Sequence, residues 1–139
     1  MDKETRREII MDNYQNPYNK GLFEDNSYKK GYIKSDSCID RIEMMIKVEN
    51  NIVKDIHFDG EACAICTSAS SIFTRKMIGK SIQEVKNIIA NFNNMLNEFE
   101  YDKDLLGELN VFEDLYLQPN RKNCAILPSK VILKIIGCD

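Results

Sequence analysis

The sequence lacks the features that mark membrane, secreted and nucleic-acid-binding proteins. None of its 139 residues belong to an apolar run approaching the roughly 18 residues that a membrane helix needs. Residues 1–8 are mostly charged and contain no apolar core of a signal peptide. With 22 acidic and 19 basic residues, the formal net charge of −3 provides no overall basic field. We therefore expect a cytoplasmic protein whose partners are neither nucleic acid nor a membrane.

The sequence also contains no internal repeat and no low-complexity segment. Its composition, with 43% hydrophobic and 29% charged residues, is that of an ordinary globular protein. A chain of 139 residues has the usual length of one domain and can bury one core. We expect a single domain over residues 1–139.

Hydrophobic periodicity predicts three strands in the first half of the chain. Apolar and polar side chains alternate over residues 41–49, which is typical of a strand with one buried face. The pair Asn50-Asn51 tolerates the left-handed backbone of a tight hairpin, so residues 52–58 should return as the antiparallel partner. A further short strand is predicted over residues 31–35.

Helical patterns surround these strands. A first helix is predicted from about Lys3 to Tyr14, a second over residues 63–77, and a third over residues 81–99 with a capping box at its start. The third helix has an apolar stripe from Val85 to Phe99, which should face the core. A closing helix should place Pro128 in its first turn, where proline is tolerated. The order predicts an α+β fold, with a three-stranded antiparallel sheet and helices packed on one face.

Five cysteines give the first indication of chemistry. An odd number in a chain without a secretion signal argues against a disulfide framework and favours thiolates that bind metal or react. The cysteines are Cys38, Cys63, Cys66, Cys124 and Cys138.

Three of these cysteines and one aspartate stand at suitable positions for a site. Cys38 and Asp40 are two residues apart in extended backbone, so both side chains should face one ion. Cys63 opens a predicted helix and Cys124 lies just ahead of the last one, where the helix dipole lowers the pKa of a thiol. Such donors suit Zn²⁺ or an iron-sulfur cluster, and their spacing does not choose between them. The alternative for each cysteine is a small buried hydrophobic residue.

Two further patterns have competing interpretations. Cys63-Ala64-Ile65-Cys66 has the spacing of a dithiol redox motif, although no strand-helix-strand alternation surrounds it. His57 alternates out of its strand, which predicts a solvent-facing side chain rather than a metal ligand. Cys138, next to the last residue, is predicted to take no part in the site.

Several segments together resemble the U-type iron-sulfur assembly proteins, the IscU/SufU/NifU N-terminal family. They are Asn16-Pro17 with Asn19-Lys20-Gly21, Cys38-Ile39-Asp40, FDGEACAICTSASS at 58–71, Gly79-Lys80-Ser81, and PNRKNCAIL at 119–127. The resemblance covers nearly the whole chain and implies a SufE/NifU-like fold. The long separation of Cys63 and Cys124, with Asn123 and Arg121 beside the latter, resembles the SufU branch.

The resemblance implies a function and a site. Cys38, Asp40, Cys63 and Cys124 would be the ligands of a resting zinc, with iron or a [2Fe-2S] cluster as the alternative occupant. Cys124 would accept persulfide sulfur from a pyridoxal-phosphate-dependent, SufS-like cysteine desulfurase, and downstream assembly or apo-acceptor proteins would receive it. Asp40, a hard oxygen ligand among soft thiolates, would be the exchangeable ligand.

Four positions depart from the family pattern. Ile39 and Ala62 stand where the family has glycine, Cys66 replaces a serine, and Asn13 replaces a histidine of the first helix. The first two restrict the backbone beside two ligands and predict a site that is either stiffer or partly degenerate. With Asn13 in place of the histidine, a partner contact made by that histidine is not expected to carry over to this chain.

Three alternatives to sulfur transfer stay open on the sequence. The same ligands would serve a direct [2Fe-2S] scaffold. A structural zinc module would use them for protein interaction. A dithiol redox protein would use Cys63 and Cys66 instead.

Overall fold

Three antiparallel strands form one sheet in the computed structural model, which describes residues 1–36 and 39–137. The strands are β1 (Lys29–Lys34), β2 (Arg41–Glu49) and β3 (Ile52–Asp59), in the spatial order β1-β2-β3. Asn50 and Asn51, with φ of 54° and 63°, form the hairpin that the sequence predicts, since both central residues of a type I′ turn need positive φ. All three predicted strands are present, and β1 begins two residues before its predicted start.

One face of the sheet forms the floor of the main core. Ile42, Met44 and Ile46 of β2 lie beside Ile56 and Phe58 of β3, and all are at most 1% exposed. Large apolar side chains of both strands thus share one face, as period-two alternation requires. The helices pack on this face, which confirms the predicted α+β architecture.

The opposite face is partly covered, which the alternation did not predict. Met45 points away from Met44 and Ile46 and is nevertheless fully buried. Its partner across the ladder is His57, whose ring centroid lies 4.9 Å from that of Phe23 in the segment before β1. The expected solvent-facing His57 is therefore on the outer face, but only about a quarter of its side chain is exposed, at 23%.

The helices of the described ranges follow the predicted order. They are α1 (Lys3–Gln15), α2 (Ala64–Met77), α3 (Ile82–Leu96), the short α4 (Lys103–Leu106), a 3₁₀ helix (Gly107–Leu117) and α5 (Pro119–Ile136). Helices α2 and α5 contact the sheet, and α1 packs on α2. Ser81 and Glu84 form the predicted capping box of α3, each side chain accepting from the other's backbone N–H.

Helix α3 is shorter than its apolar stripe predicts. It ends at Leu96, Asn97 caps it, and Glu98 takes a positive φ of 64°. Phe99, predicted as the last core residue of the stripe, is 66% exposed. The prediction was wrong there because the left-handed residue turns the chain away from the helix axis.

Helix α5 begins nine residues before Pro128, so the prediction that Pro128 lies in the first turn was wrong. The proline at the start of the helix is Pro119, which occupies the first helical position. Pro128 lies inside the helix and has no N–H for the carbonyl of Cys124, four residues earlier. Cys124 is accordingly a residue of the second turn and not a residue ahead of the helix.

Asn13 connects α1 to α2 from within the protein. Its side chain is 2% exposed, and its Oδ1 accepts hydrogen bonds from Ser71 Oγ at 2.7 Å and from an Arg75 guanidinium nitrogen at 3.3 Å. Its Nδ2 donates to the carbonyl of Ile9 at 2.9 Å. A buried amide with its partners satisfied holds the two helices together. Asn13 is therefore a packing residue in this chain.

Candidate functional site

Three of the four predicted ligands come together from distant parts of the chain. Asp40 stands immediately before β2, Cys63 immediately before α2, and Cys124 in the second turn of α5. One potential ligand atom from each, a carboxylate oxygen and two Sγ atoms, lies within 4.8 Å of the others. Cys38 lies outside the described residues, so its place among the ligands stays a prediction.

Asp40 is held rigidly. It is 2% exposed, and its Oδ1 accepts a hydrogen bond from the backbone N–H of Cys63 at 2.9 Å. The flanking backbone is also paired, since Arg41 N donates to the carbonyl of Glu61 at 2.8 Å. The carboxylate and the start of α2 are thus fixed to one another. Its second oxygen, Oδ2, is buried without a hydrogen-bond partner within the described ranges.

Cys63 is the N-cap residue of α2, as its position in the sequence predicts. Its backbone is extended, with φ −69° and ψ 172°, and its Sγ accepts a hydrogen bond from Cys66 N at 3.4 Å. An N-cap side chain normally satisfies one of the unpaired N–H groups in the first turn. Sulfur performs here the task that serine or aspartate oxygens usually perform, and this orients the thiol.

Neither thiol has the lowered pKa that the sequence analysis predicts. Burial raises the pKa of the Cys63 thiol, although the Cys66 N–H opposes the rise, and the Asp40 carboxylate raises it further. Burial likewise raises the pKa of Cys124, and so do the neighbouring Asp40 and Cys63. The prediction was wrong for Cys124 because this residue lies inside α5, and for Cys63 because burial outweighs the helix terminus.

These properties fit a metal cation. Grouping anionic donors in a partly buried place is unfavourable without a compensating positive charge. Tetrahedral zinc with Zn–S bonds near 2.3 Å separates its ligand atoms by roughly 3.8 Å, so only small side-chain shifts would complete the set. The unpartnered Asp40 Oδ2 offers a lone pair for such a bond. Two thiols and a carboxylate match the donors that zinc accepts.

Two cavities of about 720 Å³ each meet at the thiols. Cys63 and Cys124 line both, whereas Asp40 lines only the second. The first cavity runs between α1 and α5, and its other lining residues are Lys3, Arg6, Arg7, Ile10, Met11, Ala64, Ile65, Val111, Asp114, Asn120 and Arg121. The second is lined also by Tyr14, Gln15, Pro17, Lys20, Ile39, Gly60, Glu61, Ala62 and Thr67. Both thiols are therefore reachable from two sides.

The first cavity combines an apolar floor with basic groups. Arg6 pairs with Glu113 and, at 2.8 Å, with Asp114 of the 3₁₀ helix, which ties α1 to that segment. Arg7 and Arg121 also line the cavity. Arg121 stands one helical turn before Cys124, so both side chains lie on the same face of α5.

The two departures from glycine differ in what surrounds them. Ala62 does not have a positive φ, so its backbone is not strained by the side chain. Ile39 is 80% exposed, so its side chain meets few neighbours. The left-handed position in this region belongs instead to Gly60, with φ +148°, where an added Cβ would lie 2.1 Å from the carbonyl oxygen of Arg41.

Gly60 is a positioning residue whose role was not predicted. From the sequence, Gly60 is expected only to end the strand predicted over residues 52–58. The signal was a glycine three residues before the candidate ligand Cys63, because glycine permits a close approach of two backbones. That approach brings the Asp40 segment to the Cys63 segment.

Comparison with known proteins places this arrangement in a family. The family model described as NifU-like N terminal domain matches residues 5–137. The chain belongs to that family. Its relative "Zinc-dependent sulfurtransferase SufU" of Bacillus subtilis is 33% identical over 129 residues, 92% of this chain and 86% of the relative. The family is therefore that of SufU and IscU iron-sulfur cluster assembly proteins, as the resemblance implied.

Further relatives support the same family and fold. The "Iron-sulfur cluster assembly scaffold protein IscU" of Thermotoga maritima is 30% identical over 99 residues, 71% of this chain and 70% of the relative. The crystal structure of FiSufU from Fervidobacterium islandicum matches with a TM-score of 0.82 at 27% identity, covering 94% of this chain and 95% of that one. Across the described ranges, no helix has both the length and the apolar character to span a bilayer.

Proposed function

We propose that this protein accepts persulfide sulfur from a cysteine desulfurase at a zinc-binding Cys₃Asp site and passes it to iron-sulfur cluster assembly. The observation that carries the proposal is the convergence of Asp40, Cys63 and Cys124 from three separate segments. The name of the Bacillus subtilis relative, a zinc-dependent sulfurtransferase, supports it.

The ligands of the zinc would be Cys38, Asp40, Cys63 and Cys124. Bound zinc would keep the thiols deprotonated and thereby ready for sulfur chemistry. The chain contributes the fixed carboxylate of Asp40, held by the Cys63 amide at 2.9 Å, and an N-cap that orients the Cys63 sulfur. These contacts hold the donors in place before any ion arrives.

Cys124 is the sulfur acceptor in this proposal. It is only partly buried, it lines both cavities, and Arg121 stands one turn away on the same helix face. Its thiolate would attack the outer sulfur of the desulfurase persulfide. The S–S bond of that persulfide breaks, the desulfurase cysteine leaves as a thiolate, and the sulfur stays on Cys124.

The partner that delivers sulfur would be a pyridoxal-phosphate-dependent cysteine desulfurase of the SufS class. The first cavity, with an apolar floor and basic Arg7 and Arg121 at its margin, is large enough for a peptide segment carrying the persulfide. Sulfur would then go to downstream assembly or apo-acceptor proteins.

The test is sulfur transfer in vitro followed by peptide mapping. The chain is incubated with a desulfurase of this class and cysteine, alkylated and digested with trypsin. Residues 123–130 form one tryptic peptide that contains Cys124, and residues 55–75 form another that contains Cys63 and Cys66. Wild type should gain about 32 Da, one sulfur atom, on peptide 123–130. Cys124→Ser should abolish transfer, because a neutral hydroxyl cannot carry a persulfide.

Cys138→Ser is the matched control, since it removes a thiol outside the proposed site and should leave transfer unchanged. Undiminished sulfur transfer to Cys124→Ser would refute the assignment of the acceptor. The IscU relatives favour a second candidate, assembly of a [2Fe-2S] cluster directly on the same ligands. In that case anaerobic iron and sulfide would produce a stable cluster chromophore, and no protein persulfide would accumulate.

A further inference from the structure

Cys66 has no role in the sulfur transfer proposed above, although Cys63, three residues earlier, is one of the proposed zinc ligands. Cys63 is the N-cap of α2 and Cys66 lies three residues later in its first turn. Cys63 is exposed, whereas Cys66 is fully buried. An exposed cysteine at a helix N-terminus followed by a buried one is how reactive dithiols are arranged.

The two cysteines are close enough to form a disulfide. The Sγ of Cys63 is already directed toward Cys66, whose backbone N–H donates to it at 3.4 Å. Residues three apart on a helix lie roughly 5–6 Å apart at Cβ, and disulfides need Cα atoms about 4.4–6.8 Å apart. Small side-chain and end-of-helix adjustments would join the sulfurs.

Cys63 is also within reach of the sulfur acceptor. Its Sγ lies within 4.8 Å of the Sγ of Cys124, and both thiols line the same two cavities. The path Cys124, Cys63, Cys66 therefore joins a partly buried, an exposed and a fully buried cysteine. Only the last of them is closed to an external protein.

We propose that Cys66 is a resolving thiol, which converts a persulfide on Cys63 into a Cys63–Cys66 disulfide and releases the transferred sulfur as sulfide. The inference rests on the proposed function, because it needs a persulfide to act on. It goes beyond sulfur acceptance by specifying the product, inorganic sulfide, in place of a persulfide that another protein must reduce.

The chemistry balances in two exchange steps. In the first, the Cys63 thiolate attacks the outer sulfur of the Cys124 persulfide, and Cys124 leaves as a thiolate. In the second, the Cys66 sulfur attacks the inner sulfur of the Cys63 persulfide and the S–S bond of the persulfide breaks. The expelled sulfur leaves with the Cys66 proton as HS⁻. The two electrons that reduce it come from the Cys63 and Cys66 sulfurs, which become a disulfide.

Each cycle then ends on an oxidised pair. Return to the dithiol requires two electrons and two protons from a dithiol reductant. Without that reductant the protein should release one sulfide per chain and stop. Burial of Cys66 suits this role, because the desulfurase cannot load it directly and sulfur must come through Cys63.

The test bypasses the desulfurase. Zinc-loaded full-length chain is treated anaerobically with glutathione persulfide, separated from the donor by gel filtration, and followed without reductant. Wild type should release sulfide while tryptic peptide 55–75 becomes about 2 Da lighter than its reduced form, the loss of two hydrogens on disulfide formation. Sulfide and disulfide should appear in equal amounts.

Cys66→Ser should retain its adduct of about 32 Da and release sulfide at least about tenfold more slowly, because the intramolecular nucleophile is gone. Cys66→Ala provides a second variant without a buried hydroxyl, and far-ultraviolet circular dichroism verifies that both are folded. Cys138→Ser should behave as wild type, since it removes a thiol but not the pair.

Wild-type rates of sulfide release from both Cys66 variants would overturn the inference. So would a disulfide joining peptide 55–75 to peptide 123–130, which would make Cys124 the resolving thiol. Failure of the proposed function would be seen in the other experiment, the transfer assay with a desulfurase. There, neither wild type nor any variant would acquire the sulfur adduct. Sulfur acceptance with no Cys63–Cys66 disulfide would overturn only this inference.

Discussion

Replacing Gly60 by alanine should damage the site more than its size suggests. Gly60 has a φ of +148°. A Cβ added there would lie 2.1 Å from the carbonyl oxygen of Arg41 and 3.2 Å from the Cα of Ile42. The neighbouring atoms are backbone, so no flexible side chain can move aside. The segment containing Glu61 must shift away from Arg41 instead, which breaks the Arg41 N to Glu61 O hydrogen bond of 2.8 Å.

The magnitude follows from two separate costs. A non-glycine residue at such a backbone conformation costs about 1–3 kcal/mol. Forcing an extra methyl group into a packed place costs about 1–3 kcal/mol more. We expect Gly60→Ala to lower the free energy of unfolding by about 2–6 kcal/mol, a large part of the roughly 5–15 kcal/mol available to a domain.

Gly79→Ala is the matched control. Gly79 also has positive φ, +91°, but an added Cβ meets nothing within 4 Å. Only the conformational cost applies there, about 1–2 kcal/mol. Urea unfolding followed by circular dichroism measures both variants, since the chain has no tryptophan for fluorescence. Zinc content after dialysis should fall in Gly60→Ala and be normal in Gly79→Ala, because only Gly60 adjoins the ligands.

Two results would refute this reasoning. If Gly60→Ala costs no more stability than Gly79→Ala, the close approach of the two backbone segments is not as described. If Gly60→Ala is strongly destabilised but binds zinc normally, the approach supports the fold without positioning Asp40 and Cys63.

Two other perturbations test the site and the outer face of the sheet. A strong chelator should lower the melting temperature of the zinc-loaded chain by roughly 10 °C, since a ligand at 1,000-fold excess over Kd adds about 4 kcal/mol; an unchanged calorimetric melt after verified metal loss would contradict a shared site. Tyr28 Oη donates to Asp55 Oδ2 at 2.6 Å, and this bond raises the pKa of Tyr28 to about 12. Because the pKa of Tyr28 is higher in the folded state than in the unfolded one, the bond stabilises the fold fully at a pH below about 10. This contribution should be lost as the pH rises from about 10 through about 12. Tyr28→Phe should flatten that fall in urea midpoints, and an equally steep fall would count against the bond.

The fold was predictable where one physical rule governs a segment. The alternation over residues 41–49 matches β2 residue for residue, and Asn50-Asn51 adopts the turn that the strand twist requires. The same rule could not show that Met45 is buried, because alternation identifies the two faces of a strand but not what packs on the second one. The predicted burial of Phe99 was wrong for a related reason, because an apolar stripe shows which face of a helix is buried but not where the helix ends.

The proximity of three candidate ligands was more predictable than their electrostatics. Residue types and the family resemblance selected Asp40, Cys63 and Cys124, and the fold brings all three together. The pKa directions of the two thiols, Cys63 and Cys124, were not predictable, since burial and mutual proximity depend on tertiary contacts. The start of α5 was misplaced because Pro128 offered a plausible first-turn position, while Pro119 holds it.

The hypothesis that Asp40 is the exchangeable ligand involves two properties, the strength of its bond to the metal and the freedom of its side chain to move. As an oxygen donor among sulfurs, Asp40 should be the weakest ligand for zinc. Of the three candidate donors that the structure describes, it is also the most buried, at 2% exposed, and it accepts a hydrogen bond from the Cys63 amide. A side chain with these constraints can lose a bond to an ion but has little room to swing away. Cys124, partly exposed between two cavities on a helix that lacks one hydrogen bond at Pro128, has the freedom that Asp40 lacks. Movement during the proposed sulfur transfer should therefore occur at Cys124, while Asp40 stays in place.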